Sequence, residues 1–304
     1  MTAAGPLVTV VGGANTDIFG FPAGRYISRD SNPGAVRRSP GGVGRNIAEN
    51  LVRLGARVRL VTAFGDDEAG TQLREECAAL GIDVTYSVTV PHTPGACYLA
   101  VLDDRGDLAG AVNDMRALDA LLPAMLDPRA FDGAEAVVLD TNVPATTIAR
   151  AAELAGASPI VLDPVSTPKS LAARPILGRL AAIKANRREA EEISGGAGAE
   201  GAASRLLEAG VRRVFVSEGT DGVLCATVGE RLRVPAPDVH VANATGAGDA
   251  FTAGVAFAIA RGLGLAETAR LASAMAAFAL ESERTVSRDI TPDSVARRAE
   301  EMAR

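Results

Sequence analysis

Histidine and cysteine are scarce in this chain of 304 residues. With only His92 and His240, it has little from which to build a histidine-rich metal site or a Ser-His-Asp triad, and both read as surface or loop residues. Cys77, Cys97 and Cys225 are scattered, with no metal-ligand spacing and no even-numbered disulfide framework. A reducing cytoplasm is the expected setting. Lys and Arg form no dense run, and a formal net charge of −6 argues against a nucleic-acid-binding surface. Gly or a charge interrupts the longest apolar runs, so no bilayer span and no membrane partner is expected. The opening residues, Met1-Thr-Ala-Ala-Gly-Pro6, lack the basic-then-apolar order of a secretory signal. Neither the phosphate-binding G-x-x-x-x-G-K-[ST] loop nor a dinucleotide-binding G-x-G-x-x-G is expected.

What remains is an ordinary globular composition, 47% hydrophobic and 22% charged. No linker, internal repeat or low-complexity segment divides it, so residues 1–304 are expected to form one domain. Buried strands are expected at 7–11, 58–63, 136–140, 159–163, 180–184 and 214–217. Helices at 41–54, 68–80, 145–154, 251–260, 265–280 and 292–302 follow from apolar residues at helical spacing. Such alternation predicts an α/β fold, a mostly parallel sheet sandwiched by helices. A hairpin, 223–226 with 231–234, precedes the last helices. Residues 18–40 are rich in Gly, Pro and Arg without helical period, and read as an irregular or hairpin excursion. Short strand-like pieces at 84–90, 97–102 and 108–112 are expected to join it as a small antiparallel β lid, built from segments near 18–40 and 95–115.

The stretch Asn243-Ala-Thr-Gly-Ala-Gly-Asp249 organises the rest. Gly246 and Gly248 let the backbone turn tightly, and the unpaired amides at the start of the next helix suit an anion, most obviously a phosphate. A carboxylate there repels such a ligand unless it has a task. Asp249 is either a proton acceptor for an attacking hydroxyl or simply the helix N-cap. Gly12-Gly-Ala-Asn15-Thr-Asp17 reads as the turn ending the first strand, on the edge where parallel sheets bind ligands. There Asn15 and Asp17 either shape the turn or hold sugar hydroxyls. Gly41-Gly-Val-Gly-Arg-Asn46 opens a helix with a second glycine-rich approach. Asn113, in Asn113-Asp-Met115, is a turn former or faces a ligand. Asn186-Arg-Arg-Glu189 has the shape of a capping box, while Glu189 could alternatively hold a water of a Mg²⁺ ion.

The order of these motifs resembles the ribokinase-like sugar kinases, the PfkB family, over essentially the whole chain. The resemblance rests on Gly41-Gly42-Val-Gly44-Arg-Asn46, Asn186-x-x-Glu189, Ser217-x-Gly219-x-x-Gly222 and Ala244-Thr-Gly-Ala-Gly-Asp249. Asp30-Ser-Asn-Pro-Gly34, Asn113-Asp-Met115 and Asp163-Pro-Val-Ser166 with Lys169 further resemble a branch of that family that phosphorylates nucleosides. Ala185 and Ala244 depart from the usual pattern, both as small residues.

The resemblance implies a ribokinase-like fold and transfer of the ATP γ-phosphate to an alcohol, the 5′-hydroxyl of a ribose. It implies Asp249 as general base, with Gly246, Ala247 and Gly248 forming the anion hole. It carries ribose binding to Asn15, Asp17, Gly42 and Asn46, and base contacts to Ser31, Asn32, Asn113 and Lys169. Nucleotide binding falls to Asn186, Ser217, Gly219, Gly222 and Thr245, and a water-mediated Mg²⁺ contact to Glu189. Asn243 and Thr245, with carbonyls of 279–287, match the region where many relatives hold a monovalent cation such as K⁺. A homodimer paired through the lid is the expected assembly. Two other readings fit the same motifs: a kinase of this family for another sugar or nucleoside (ribose, fructose, adenosine), and a sugar or nucleotide sensor that kept the fold. Intact Asp249, its glycines and Glu189 weigh against the sensor.

Overall fold

The computed structural model describes residues 5–302. Leu7–Val11 (β1) leads into Asn15–Pro22 (β2) and Gly34–Gly41 (β3), a hairpin, then the helix Val43–Arg53 (α1). Arg57–Val61 (β4), Ala63–Gly65 (β5), the helix Glu68–Ala79 (α2), Ile82–Asp83 (β6) and Val88–Val90 (β7) follow. A second hairpin comprises Cys97–Leu102 (β8) and Leu108–Asp114 (β9). Next come Ala136–Asp140 (β10), Ala145–Leu154 (α3), Ile160–Asp163 (β11), Leu180–Asn186 (β12), Arg187–Ser194 (α4), Gly198–Glu208 (α5) and Val214–Ser217 (β13). Val223–Ala226 (β14) and Arg231–Val234 (β15) form a third hairpin, before Ala247–Ala260 (α6), Leu265–Leu280 (α7) and Pro292–Glu301 (α8).

Nine strands form the main sheet in the order β15-β14-β13-β12-β11-β10-β1-β4-β6. From β13 to β6 every pairing is parallel, and only β14 runs against the rest, since β15 turns back antiparallel to it. Parallel strands are buried on both faces, so their side chains alternate between two cores. Val8, Val10, Ala136 and Val138 point to the layer of α1, α6 and α7. Val11, Val137 and Leu139 point to the layer holding α3 and α5. Helix α6 lies against α7 at very short range: a Cβ on Gly254 would come within 2.6 Å of the Ala272 Cα. Small residues on facing helices allow that approach and hold the start of α6 over the sheet edge.

The alternation and the sandwiched sheet are as the sequence indicates, with five differences. Asn15 and Asp17 are not in a turn but open β2, because the chain leaves β1 directly into the lid. The lid sheet, in order β3-β2-β8-β9, is mixed rather than antiparallel: β2 and β8 run parallel and join two antiparallel hairpins. Residues 84–90 stay out of the lid, since β7 pairs with β5. Helix α6 starts at Ala247, one turn earlier than its apolar run suggests. Finally, Gly196-Ala-Gly198-Ala-Glu-Gly201 spells G-x-G-x-x-G, but it joins α4 to α5 rather than a strand to a helix, so it lacks the dinucleotide-binding context.

Candidate active site

The carboxyl ends of β1, β10, β11 and β12 converge on the amino end of α6. Gly246 is the N-cap of that helix, at φ 89°, a conformation that favours glycine. A Cβ there would also stand 2.1 Å from the Thr285 carbonyl oxygen. Asp249 is therefore not the N-cap. It is the third residue of the helix, and its Oδ2 accepts a 2.9 Å bond from Asn46 Nδ2 of α1. The residue is half-buried.

Burial pushes the Asp249 carboxyl up to about 7, and the charges of Asp163 and Asp140 push the same way. The Asn46 amide and the Lys184 ammonium oppose them. Asp163 ends β11 and is pinned by Thr252 Oγ1 of α6 at 2.7 Å and by the Val165 amide at 2.9 Å. Val165 has φ 61°, an unusual conformation for a β-branched residue, which bends the chain sharply off the strand. Asp140 ends β10, wrapped by the Gly12-Gly13 turn. The Gly13 amide donates to it at 2.8 Å, and a Cβ on Gly12 would collide with its Oδ2 at 2.3 Å. Burial raises this carboxyl to about 6.

Lys184 supplies a cation at the helix start. A Cβ on Gly248 would lie 2.5 Å from its Nζ, so the bare glycine makes room for the ammonium beside the first amides of α6. A helix amino end, a lysine and glycines without side chains together form a place for an anion of high charge. A carboxyl with a raised pKa, that of Asp249, stands at its rim.

On the acceptor side, Asn15 Nδ2 donates to Asp17 Oδ1 at 2.7 Å. Asp17 packs against Gly41, where a Cβ would stand 2.2 Å from its Oδ2. Burial raises the Asp17 carboxyl, opposed by the Asn15 bond and the charge of Arg45. Gly42 caps α1 at φ 96°, and its missing Cβ lets the helix start seat on the Gly13–Ala14 backbone. So Asn15, Asp17, Gly42, Asn46 and Asp249 form one connected rim. Lys169 lies nearby in fold terms, past β11, with its Nζ bonded to Asn142 Oδ1 at 2.7 Å. Asn113, on β9, is exposed but in register with Asp17 through Tyr98. Ser31 and Asn32 sit at the far tip of the first hairpin. The Asn32 amide is spent on its own loop, bonding the Ile27 amide and the Ile27 and Asp30 carbonyls.

On the opposite side, Asn186 and Ser217 are paired neighbours on β12 and β13, and line an open cleft with Arg187, Arg188, Glu218 and Asp221. Gly219 (φ 63°) and Gly222 (φ 85°) shape the turn below it. Asn186 and Glu189 do form a capping box, with bonds of 3.0 and 2.8 Å. Glu189 remains buried, its pKa raised by burial, and it feels both Lys184 and Asp163. Its carboxyl thus caps α4 within electrostatic reach of Lys184. Asn243 Oδ1 accepts the Thr245 amide at 2.9 Å, and the Leu280 carbonyl accepts the Asn243 amide. This ties the approach to α6 to the end of α7.

Sequence reading missed Lys184, Asp140, Asp163 as a bonded partner, and Thr252. Their common signal is position: each aspartate and the lysine lie at or near the carboxyl end of a central parallel strand, the edge that binds ligands in such sheets.

A parallel sheet with this lid and a carboxylate at a glycine-started helix is the layout of a phosphotransferase with an alcohol acceptor. The pfkB family carbohydrate kinase model matches residues 6–291, and the chain belongs to that family. It is 35% identical over 292 residues to pseudouridine kinase of Escherichia coli (strain K12), covering 93% of each chain. To an uncharacterized sugar kinase of the same strain, YeiI, it is 32% identical, covering 90% of this chain and 78% of the relative. The ribokinase of Arabidopsis thaliana complexed with ribose and ATP superposes with a TM-score of 0.84 at 22% identity, over 97% of this chain and 99% of that one. The fold is ribokinase-like. Among the described residues, no helix is long and apolar enough to cross a membrane.

Proposed function

We propose that the protein is an ATP-dependent nucleoside kinase that phosphorylates the ribose 5′-hydroxyl, with pseudouridine as its substrate. One observation carries the reading: the Asp249 carboxyl is held by Asn46 one turn into a helix whose amino end is bare glycine beside Lys184. Asp249 takes the hydroxyl proton as the oxygen attacks the γ-phosphate. The amides of Ala247, Gly248 and Asp249, with Gly246 shaping the turn, steady the charge on the transferring group, and Lys184 adds to them. Asn186, Ser217, Gly219, Gly222 and Thr245 bind the nucleotide. Asp17 and Asn15 hold the ribose hydroxyls, with Gly42 and Asn46 completing that wall.

The donors fit Mg²⁺. Glu189 is a buried carboxylate bonded to the Asn186 amide and within electrostatic reach of Lys184. Mg²⁺ keeps most of its waters and takes one or two protein carboxylates plus phosphate oxygens. When bound with ATP, the ion neutralises phosphate charge. Asn243, Thr245 and the carbonyls near 279–287 suit K⁺, and the Thr285 carbonyl lies against Gly246.

The lid carries the substrate choice. Ser31, Asn32, Asn113 and Lys169 contact the base as the lid closes and excludes water. The whole chain works as one domain in the cytoplasm, as a homodimer joined through the lid, whose Val36, Leu99 and Val112 are exposed. A coupled ADP-release assay on pseudouridine, uridine, ribose and fructose tests the reading. Pseudouridine should lead in kcat/KM by at least about 10²-fold. A lead for another acceptor makes the protein a kinase for that compound, and no turnover with any acceptor leaves the sensor.

A further inference from the structure

Arg45 is an arginine at 4% exposure on α1, one residue before the amide that holds the base. Its Nη2 donates to Glu49 Oε2 at 2.8 Å and its Nη1 to Asn46 Oδ1 at 3.2 Å. Glu49 is itself held from the other side by Arg53, at 3.0 and 2.7 Å. Neither the transfer mechanism nor the helix needs a guanidinium here. A buried ion pair is weak support for stability, and apolar side chains often replace one without loss. Among the described residues, the buried Nε has no partner at all. The site thus tolerates an unsatisfied donor to keep an arginine in place.

The Asn46 amide explains why. One end of an amide donates and the other accepts, and its two ends here meet opposite charges. With Oδ1 against Arg45, Nδ2 faces Asp249. Turned over, the amide would set its oxygen against the carboxylate and its NH₂ against the guanidinium. We propose that Arg45 is a positioning residue of the transfer site: its fork fixes the Asn46 amide so that the nitrogen, never the oxygen, meets Asp249. The same cation also pulls on Asp17, so one buried charge serves both carboxylates at the rim.

The proposal rests on Asp249 being the base. The groups facing Asp249 are Asp163 from β11, Asp140 from β10, Lys184 from β12 and Asn46 from α1, and only the last depends on Arg45.

The test is a double-mutant cycle on the full chain: Arg45→Met in the native and the Asn46→Ala backgrounds, with kcat and the pH profile of kcat/KM. In the native background kcat should fall about 10-fold, the effect of one charge-assisted bond. The acid limb should move to higher pH, because Asp249 loses a bond that favours its ionised form. Without Asn46, Arg45→Met should cost less than about 2-fold. Arg45→Lys keeps a cation against Glu49 but not the planar fork, and carries the test if the Met variant does not fold. It should melt with the parent and lose turnover several-fold only where Asn46 is present. An equal loss in both backgrounds, or native kcat and pH profile in the Arg45 variants, overturns the proposal. If Asp249→Asn keeps its turnover, the reading of the base falls, and this proposal with it. If Asp249→Asn is inactive but the Arg45 effects add independently, only this proposal falls.

Discussion

The edge of the main sheet and the tip of the lid serve the same proposed reaction from opposite sides, and they are built in opposite ways. At the sheet edge the polar groups are held by side chains and turns of neighbouring elements. Asp249 meets Asn46, Asn46 meets Arg45, Asp163 meets Thr252 and Val165, and Asp140 is enclosed by a glycine turn. At the lid tip, Ser31 is exposed and the bonds of Asn32 stay within its own loop. Chemistry needs atoms fixed to a fraction of an ångström, which a packed edge supplies. Choice among acceptors needs a surface that can close, and short hairpins with few buried contacts can do so. Substitutions at the edge should therefore reach kcat, and those at the lid KM.

The largest effect is expected for Asp249→Asn. Loss of a positioned base should lower kcat by about 10²–10⁴-fold while ATP still binds, as a titration of bound nucleotide would measure. The same variant should melt higher than the parent above pH 7. The folded chain holds the Asp249 proton up to about 7, against an ordinary value of 3.8. Stability from that group is therefore present below about pH 4 and is lost as pH rises through 7. Asparagine removes that loss, so the gain, about a few degrees by calorimetry, should shrink towards pH 4. Next is Lys184→Met, expected to lower kcat by roughly 10² through loss of a preorganised charge at the anion site, with a smaller rise in KM for ATP. An unchanged kcat there would make Lys184 a helix-end partner and nothing more. The smallest effects are expected at the lid: Ser31→Ala and Asn32→Ala should raise KM for the nucleoside about 3–10-fold and leave kcat and melting temperature near native. Unchanged KM would remove both from the acceptor site.

Much of the edge is legible in the sequence because glycine has few reasons to cluster. Gly246-Ala-Gly248-Asp249 and Gly41-Gly42-Val-Gly44 mark two close approaches of backbone, and both occur. Strand–helix alternation likewise reveals the sheet. What is hidden is contact between distant segments. Asn46 and Asp249 lie 203 residues apart, and Thr252 and Asp163 lie 89 apart, so no local pattern announces either bond. Nor does local pattern show that β2 and β8 run parallel, since the two strands lie about 80 residues apart and pair only through the fold. Asn186-x-x-Glu189 shows the converse: spacing reveals the capping box, and only the fold reveals that the same carboxylate lies within reach of the Lys184 and Asp163 charges.

The pH dependence of kcat/KM in the unmodified enzyme tests the central claim most directly, because it reads the base in the free protein. With Asp249 raised by burial and by Asp163, kcat/KM should fall on the acid side with a midpoint near 7 and be fully developed above pH 8. A profile that stays level down to pH 5 would contradict it, since no carboxyl with a raised pKa would then be accepting the proton.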